Sequence, residues 1–342
     1  MSKVAERRRA LKFSQEELAR RAGVSRTLLS SLETGRATPS VKAALAIANA
    51  LGTTVEFLFD ESFVGNPPAG WAWPPPGPVS RYWEVREMDG ALRYPAAVSA
   101  SSPFPHDGVA DGARLIVRCA NPPPTLVMAS CDPAASLLAA EYARITGIRL
   151  LVFPSNSGAS LNLLARGAVH LGALHCGSSD EEDENLRRVR ETLGSGWVLL
   201  RAARWESGLA HAEPLISPQP KTLAKCRWAM REAGAIARET MDRLLDHRSI
   251  SGREVRGHRE VADAIRSGWA EVGICIRLCA EENQLCFSIQ QKETLDLVFA
   301  EHWLEDRRFR SLIDLIQSRS YRKIVTDLPG YSARETGSLT YA

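Results

Sequence analysis

The stretch from Ser14 to Pro39 constrains the fold more than any other part of the sequence. Ser14 is a good N-cap residue, and Glu17 follows it at the capping-box spacing, so a helix is predicted to begin there. Gly23 ends this helix and suits the positive φ that a tight turn requires. Ser25 caps a second helix, which must end before Pro39 because proline cannot continue it. The pattern predicts two short helices joined by a tight turn.

Polar side chains lie on the outer face of the second predicted helix, whereas its leucines face inward. A helix-turn-helix places such a face in the major groove of DNA. Arginine can bridge O6 and N7 of guanine, and threonine can contact a base edge or a thymine methyl group. Gln15, on the first helix, is predicted either to contact a phosphate or to brace the second helix. The candidate DNA-binding residues are Gln15, Arg26, Thr27, Ser30, Ser31 and Arg36.

This stretch resembles the Xre/Cro-type helix-turn-helix family. The matching residues are Gln15, Ala19, Gly23, Val24, Ser25, Leu29, Leu32, Glu33, Gly35 and Pro39. The resemblance extends over roughly Val4 to Phe59 and implies a five-helix domain that binds double-stranded DNA, expected as a homodimer. Residues 1–60 carry ten Lys and Arg against six Asp and Glu, although the whole chain has a net charge of only +3. This local excess suits phosphate neutralisation.

Three further segments follow the helical one. Residues 61–80 are rich in proline and are predicted to form a linker. Residues 81–124 are predicted to form a short β-rich bridging segment, which includes a hairpin around Asp89 and Gly90 and a strand over residues 113–119. From residue 125 to 342, predicted strands and helices alternate, which favours a parallel sheet covered by helices. The predicted elements include a helix from Asp132 to about Thr146, an extended segment over 197–211, and strands over 227–231, 284–290 and 295–300. The expected fold class is therefore multidomain, with an all-α helix-turn-helix domain followed by an α/β domain.

Two strand-to-helix junctions in the α/β segment carry small polar residues, around Ser130-Cys131 and Ser155-Asn156-Ser157-Gly158. Each junction offers hydroxyl groups and free backbone N–H groups at a helix N-terminus, which suits an anion. Open α/β sheets bind ligands at the carboxyl ends of their strands. Two such junctions on successive strands favour a binding pocket over ordinary helix caps.

The same residues resemble the two-lobed, type 2 periplasmic-binding-protein fold, and most closely its molybdate/tungstate-binding group fused to helix-turn-helix domains. Arg231, Gly234 and Arg238 match that group's Arg-x-x-Gly-Ser-Gly-Thr-Arg element, but Ala235, Ile236 and Ala237 replace its Ser, Gly and Thr. The resemblance covers about residues 125–332. The implied ligand-binding residues are Ser130, Cys131, Ser155, Asn156, Ser157, Gly158, Arg231, Gly234, Arg238 and His258.

Alternatives stay open for several of these residues. Arg231 and Arg238 either hold an oxyanion or form ion pairs with Glu232 or Glu239, and His175 is a further candidate to line the cleft. Cys131 lies at a predicted helix N-terminus, but the sequence identifies no partner histidine for it, and no GxSxG, HExxH, Walker A or GxGxxG motif occurs. The chain is therefore predicted not to be an enzyme.

Other classes of site are not indicated by the sequence. The seven cysteines are scattered without a CxxC pair, and Cys275 with Cys279 lacks the further ligands that a metal site needs, so no metal and no cofactor are expected. No apolar run reaches the ~18 residues of a membrane helix. Arg7, Arg8 and Arg9 occupy the place of a signal-peptide apolar region, so a cytoplasmic location is expected.

These patterns together predict a one-component transcription regulator whose second domain senses a small molecule, such as an oxyanion like molybdate. The alternative is a regulator whose second domain has lost ligand binding and serves dimerisation or partner docking.

Overall fold

The computed structural model describes most of the chain. The described residues are 3–10, 13–34, 36–51, 55, 58, 70–77, 79–87, 90–96, 104–112, 114–177, 184–214, 219–248 and 250–342. Packing divides the chain into two compact units, one formed by Met1–Glu84, Ala91–Ala96 and Gly108–Ile116 and the other by Val85–Gly90, Ala97–Asp107 and Val117–Ala342. The boundaries at residues 60, 80 and 124 stay predictions.

The N-terminal helices begin where their caps predict. They are α1 (Lys3–Ala10), α2 (Gln15–Ala22), α3 (Arg26–Glu33) and α4 (Val41–Ala50). The hydroxyls of Ser14 and Ser25 accept hydrogen bonds from the backbone N–H groups of Glu17 and Leu28. Gly23 has a φ of 60°, in the left-handed region that the turn requires. Gly35 and most of the predicted fifth helix lie outside the described residues, although Leu58 is helical and buried.

A buried ion pair joins three of these helices. The Arg8 guanidinium on α1 donates to both carboxylate oxygens of Glu33 at the end of α3, over 2.6 and 2.9 Å. Gln15, at the start of α2, donates to the same carboxylate over 2.8 Å. Burial alone would raise the pKa of Glu33, but Arg8 and Gln15 hold it below its usual value. Arg8 therefore stabilises the fold, and its charge is not free to neutralise phosphate.

A small sheet follows the helical segment. Its strands are β1 (Val79–Glu87), β2 (Gly90–Pro95), β3 (Gly108–Asp111) and β4 (Arg114–Val117), in the order β2-β1-β3-β4. Trp71 packs edge-on against Tyr82, and Trp73 packs likewise against Tyr94. The two tryptophans of the predicted linker thus contact the neighbouring sheet. The strand predicted over residues 113–119 is shorter, and β3 was not predicted.

The C-terminal α/β domain is built around one long mixed sheet. Its strands are β5 (Thr125–Ser130), β6 (Arg149–Pro154), β7 (Leu171–Gly177), β8 (Trp197–His211), β9 (Arg227–Arg231), β10 (Ser251–Val255), β11 (Val272–Ile276), β12 (Cys286–Ala300), β13 (Tyr331–Ser332) and β14 (Leu339–Tyr341). Its α-helices are α5 (Ala135–Thr146), α6 (Ser157–Ala165), α7 (Glu184–Leu193), α8 (Pro220–Leu223), α9 (Ile236–Leu244), α10 (His258–Arg266), α11 (Arg277–Glu282), α12 (Arg307–Gln317) and α13 (Arg319–Thr326). A 3-10 helix spans Glu301–Glu305.

The strand order β10-β9-β11-β8-β12-β7-β5-β6 divides this sheet into two lobes. The first lobe contains the parallel strands β5, β6 and β7, and the second contains the parallel strands β9, β10 and β11. Every residue of β5 is buried, as expected for a strand covered on both faces. The 15-residue strands β8 and β12 pair antiparallel to each other and join the lobes.

The structure corrects the predicted sheet in two respects. The sheet is parallel within each lobe but antiparallel at β8 and β12, because these long strands carry the chain between lobes. The two strands predicted over residues 284–290 and 295–300 are the single strand β12, interrupted by register shifts at Ile289/Gln291 and Leu295/Asp296. The polar run between them looked like a break, but Glu293 within it is only 1% exposed and is hydrogen-bonded.

Several elements of this domain were not predicted, namely β10, β13, β14, α8 and α11. Helix α5 also begins later than expected, since Asp132 accepts from the backbone N–H of Ala134 and so forms the turn before the helix.

Within the part of the chain that the structure describes, no helix has the length and apolar character needed to cross a membrane.

Replacing Arg8 with methionine is expected to destabilise the helical domain by about 2 kcal/mol, because Glu33 then loses two hydrogen bonds to a charged group. Hydrogen exchange of the amides in α1 to α4 of the full chain measures the change. Arg20→Met is the matched control, since Arg20 forms an exposed pair with Glu17 and its loss should change little. Equal protection in the two variants would contradict this role for Arg8.

Candidate functional site

The second helix of the helix-turn-helix, α3, presents the predicted contact residues to solvent. Arg26 and Thr27 in its first turn are exposed, and Ser30 and Ser31 are partly exposed, while Leu29 and Leu32 on the opposite face are buried. Arg36, just beyond the helix, is also exposed. The face is therefore polar and accessible along its length, as a major-groove reader requires. Of the two roles predicted for Gln15, the structure shows the bracing one, because its amide donates to Glu33.

The serines of the two strand-to-helix junctions are engaged in local structure. Ser130, at the end of β5, accepts from the backbone N–H of Asp132 over 3.1 Å. Ser155 donates to the carbonyl of Asn156, and the buried Ser157 accepts from the backbone N–H of His175. The hydroxyls of Ser130 and Ser155 thus bond within their own turns, and that of Ser157 joins the start of α6 to β7.

Asn156 joins the two lobes. Its Oδ1 accepts from the backbone N–H of Ala159 and so caps α6, over 2.9 Å. Its Nδ2 donates across the junction to Glu232 Oε1 over 3.3 Å and to the carbonyl of Ala233 over 3.5 Å. Gly234 follows with a φ of 84°, in the region that favours glycine, and a Cβ on Gly158 would lie 3.5 Å from its carbonyl oxygen. The first and second lobes are therefore in contact at this point.

Both arginines predicted to hold an oxyanion have carboxylate partners. The buried Arg231 guanidinium donates to both oxygens of Glu232, over 2.9 and 3.0 Å. Arg238 donates to Asp242, one turn along α9, and not to Glu232 or Glu239 as the sequence suggested. The ion-pair alternative is thus observed for both arginines, and the partner predicted for Arg238 was wrong.

Cys131 has a partner histidine that the sequence did not identify. Its Sγ lies 3.0 Å from Nε2 of His175 on β7. The other ring nitrogen of His175, Nδ1, lies 2.6 Å from Glu293 Oε2 on β12. Burial alone would lower the pKa of His175, but Cys131 and Glu293 raise it to about 10. The sulfur, the imidazole and the carboxylate thus form one buried chain of hydrogen bonds.

His258 completes the group from the second lobe. It is the first residue of α10, placed there by Gly257, whose φ of 92° turns the backbone into the helix. His258 is 1% exposed, and neither of its ring nitrogens has a hydrogen-bond partner among the residues that the structure describes. Burial, Arg231 and His175 lower the pKa of His258, so its ring is neutral. Cys131, His175 and His258 are called the interlobe cluster below.

Sequence reasoning missed the role of Glu293 and left His175 as one of several candidates. The signal for His175 was its position in an apolar strand that leads to the same sheet edge as Cys131. Glu293 gave no comparable signal, because a glutamate in a polar run is normally solvent-exposed. The same reasoning expected no metal site, because it considered only Cys275 with Cys279, which have no further ligands near them in the sequence.

Two family models match the chain. One, described as a helix-turn-helix, matches residues 4–58, and the other, described as a PBP superfamily domain, matches residues 139–317, just over half of the chain. An uncharacterized transcriptional regulator in the ATPase CF(0) region of Rhodospirillum rubrum is 38% identical over 91 residues, which cover 27% of this chain and 79% of that protein. The chain belongs to the helix-turn-helix transcriptional regulators.

Other proteins are similar to only part of this regulator. An uncharacterized HTH-type transcriptional regulator from Methanothermobacter thermautotrophicus is 49% identical over 61 residues, which cover 17% of this chain and 88% of that protein. A putative phosphate ABC transporter substrate-binding protein from Clostridium perfringens aligns with 13% identity and a TM-score of 0.48, over 60% of this chain and 99% of that one. The regulatory domain of MetR, a LysR-family regulator from N. meningitidis, aligns with 12% identity and a TM-score of 0.44, over 61% and 97%.

The contact between the lobes can be tested at Asn156. Asn156→Asp keeps the oxygen that caps α6 but replaces the donor to Glu232 with a second negative charge. We expect faster hydrogen exchange at residues 232–235 and unchanged exchange in the first turn of α6. Asn156→Ser keeps the cap without adding charge and should show a smaller effect. Faster exchange confined to α6 would contradict the assigned contact.

Proposed function

We propose that this regulator binds a small effector between the lobes of its C-terminal domain, and that binding changes the affinity of the helix-turn-helix for DNA. The observation that carries the proposal is the interlobe cluster, in which both ring nitrogens of the buried His258 lack a hydrogen-bond partner within the described part of the chain. Burying an imidazole without hydrogen bonds is unfavourable unless a ligand compensates it. An effector coordinated or hydrogen-bonded there would contact both lobes and favour their closed arrangement.

The contacts support an oxyanion effector less well than the sequence did. Arg231 and Arg238 are engaged by Glu232 and Asp242, so an oxyanion would have to displace those carboxylates. The hydroxyls of Ser130 and Ser157 also take part in local hydrogen bonds. A molybdate-like ligand therefore ranks behind one that coordinates to the sulfur and imidazole groups of the cluster or forms a hydrogen bond with His258.

We further propose a binding role for this site and not a catalytic one. The chain from Cys131 through His175 to Glu293 has the connectivity of a nucleophile, a base and an orienting carboxylate. The unpaired His258 has no place in that scheme, but it suits a binding site. A homodimer in the cytoplasm is the proposed form of the regulator, because helix-turn-helix domains commonly read two half-sites.

Thermal-shift measurements on the full chain test the effector proposal. The compounds are molybdate, tungstate, sulfate, divalent metals and small metabolites, and the DNA is a site selected from a random pool. We expect a compound that raises the melting temperature to change DNA affinity about 5- to 150-fold. A His258→Gln variant should bind DNA normally without the compound and lose the response. Unchanged DNA affinity with every stabilising compound would contradict the proposal and favour the docking alternative.

Arg26→Ala is expected to weaken binding to the selected site by about 1–3 kcal/mol and to relax the preference at one base pair, if Arg26 bridges a guanine. Fluorescence anisotropy with the selected site and single-base variants measures both effects. Arg166→Ala, an exposed change in the C-terminal domain, is the control. Equal weakening on all sequences would show that Arg26 contacts phosphate instead.

A dimer predicts two half-sites whose centres are separated by about one helical turn, ~34 Å, or a multiple of it. Footprinting of the selected site measures the spacing. Protection of a single half-site would contradict the dimer.

A further inference from the structure

The interlobe cluster brings together three side chains that commonly bind metals. Cys131 follows β5, His175 lies in β7, and His258 begins α10, so two ligands come from the first lobe and one from the second. Each residue offers one ligand atom, and these atoms all lie within 4.8 Å of one another. Residues 131, 175 and 258 are far apart in the sequence, so only the fold assembles this group.

Two of the three residues have hydrogen-bond partners inside the protein. Cys131 and His175 are paired with each other, and Glu293 binds the far side of the His175 ring. His258 is different, since both of its nitrogens are buried and unpaired within the described residues. Its ring centroid lies 5.8 Å from that of His175 and 6.0 Å from that of Trp205, so it is held close to the pair without bonding to it.

We propose that Cys131 Sγ, His175 Nε2 and one ring nitrogen of His258 bind a single Zn²⁺ ion. In a tetrahedral zinc site with Zn–S near 2.3 Å and Zn–N near 2.0 Å, neighbouring ligand atoms lie about 3.5 Å apart. Cys131 Sγ and His175 Nε2 are already 3.0 Å apart, and the ligand nitrogen of His258 lies within 4.8 Å of both atoms. A shift of the His258 ring by about an ångström therefore brings the three atoms to the spacing of a zinc site. The ion replaces the proton shared by Cys131 and His175, and this proton is released to solvent.

The ligand set selects the class of metal. One thiolate and two imidazoles favour zinc and other borderline or soft metals over Mg²⁺ and Ca²⁺, which prefer oxygen. Three protein ligands leave the fourth tetrahedral position for water or a small molecule. The charge of the buried Arg231 is offset by the adjacent Glu232, whose carboxylate accepts two hydrogen bonds from the guanidinium. The local field therefore does not exclude a cation.

The groups around His175 support the same assignment. Glu293 fixes the ring so that Nε2 faces Cys131, which is the carboxylate–histidine arrangement found behind metal ligands. The carboxylate is itself held by Trp205 Nε1 over 2.7 Å and by Gln291 Nε2 over 2.6 Å. His175 is therefore oriented for coordination before an ion arrives.

Zinc would join the two lobes, because its ligands come from both. The regulatory reading, in which zinc is the effector or holds it, rests on the function proposed above. The binding of zinc itself rests only on the cluster.

The test uses the full chain after removal of metals with a chelator, with Co²⁺ as the spectroscopic probe and Zn²⁺ as the competitor. We expect one Co²⁺ per chain, with a thiolate-to-cobalt charge-transfer band and the visible bands of tetrahedral cobalt, both abolished by Zn²⁺. Cys131→Ser should remove the charge-transfer band, and His258→Gln should weaken Zn²⁺ binding at least 100-fold. Glu293→Gln should weaken it about 10- to 100-fold.

Cys226→Ser and His302→Gln are the matched controls, since both residues lie in the same domain outside the cluster, and their affinity should equal that of the wild type. Far-UV circular dichroism establishes that each variant is folded. Absence of saturable binding, or a cobalt spectrum unchanged by Cys131→Ser, would overturn the metal site.

Measuring DNA affinity with and without Zn²⁺ separates the two proposals. If Zn²⁺ binds through the interlobe cluster but leaves DNA affinity unchanged, the metal site stands and zinc is not the effector. Failure of zinc binding together with a response to another compound overturns the metal site and keeps the effector proposal.

Discussion

The C-terminal domain is assembled around a buried carboxylate, Glu293. This residue lies in the middle of β12, the strand that pairs with β7 of the first lobe and with β8 along its whole length. Burial alone would raise the pKa of Glu293, but His175, Trp205 and Gln291 stabilise the charged form and lower it. A charge in this position is tolerated only because each of these partners is in place. The observed register of β7 and β8 against β12 brings His175 and Trp205 to this carboxylate, and it places His175 beside Cys131.

A second buried charge has a similar role in the helical domain. Glu33 ends the helix that presents Arg26 and Thr27, and its carboxylate is held by Arg8 and Gln15 from the two preceding helices. The orientation of α3 therefore depends on an ion pair within the domain. In both domains the candidate site is positioned by a carboxylate, although glutamate is normally expected on the solvent-exposed surface.

The elements that follow local rules were predicted well. Ser14 and Ser25 cap helices as expected, because a hydroxyl accepts from a backbone N–H a few residues away whatever the rest of the fold does. Strands β8 and β9 were predicted with the observed bounds, since their residues are largely apolar. Strand β12 was divided in two, because its middle is polar and Gln290 and Lys292 remain exposed there, although the backbone pairing with β8 continues and Glu293 is buried. The candidate site shows the same division: Cys131, His175 and His258 were each candidates from the sequence, but the pairing of Cys131 with His175 and the role of Glu293 were not predicted.

The sequence by itself determined the presence of a helix-turn-helix, the alternation of strands and helices after residue 125, and the polar junctions at Ser130 and Ser155. These features depend on caps, apolar spacing and turn residues, which act over a few positions along the chain. Only the tertiary structure decided that Arg231 pairs with Glu232, that Glu293 is buried, and that Cys131, His175 and His258 meet. Such contacts join residues that are distant in the chain or depend on burial, and burial is a property of the packed sheet and not of any local pattern.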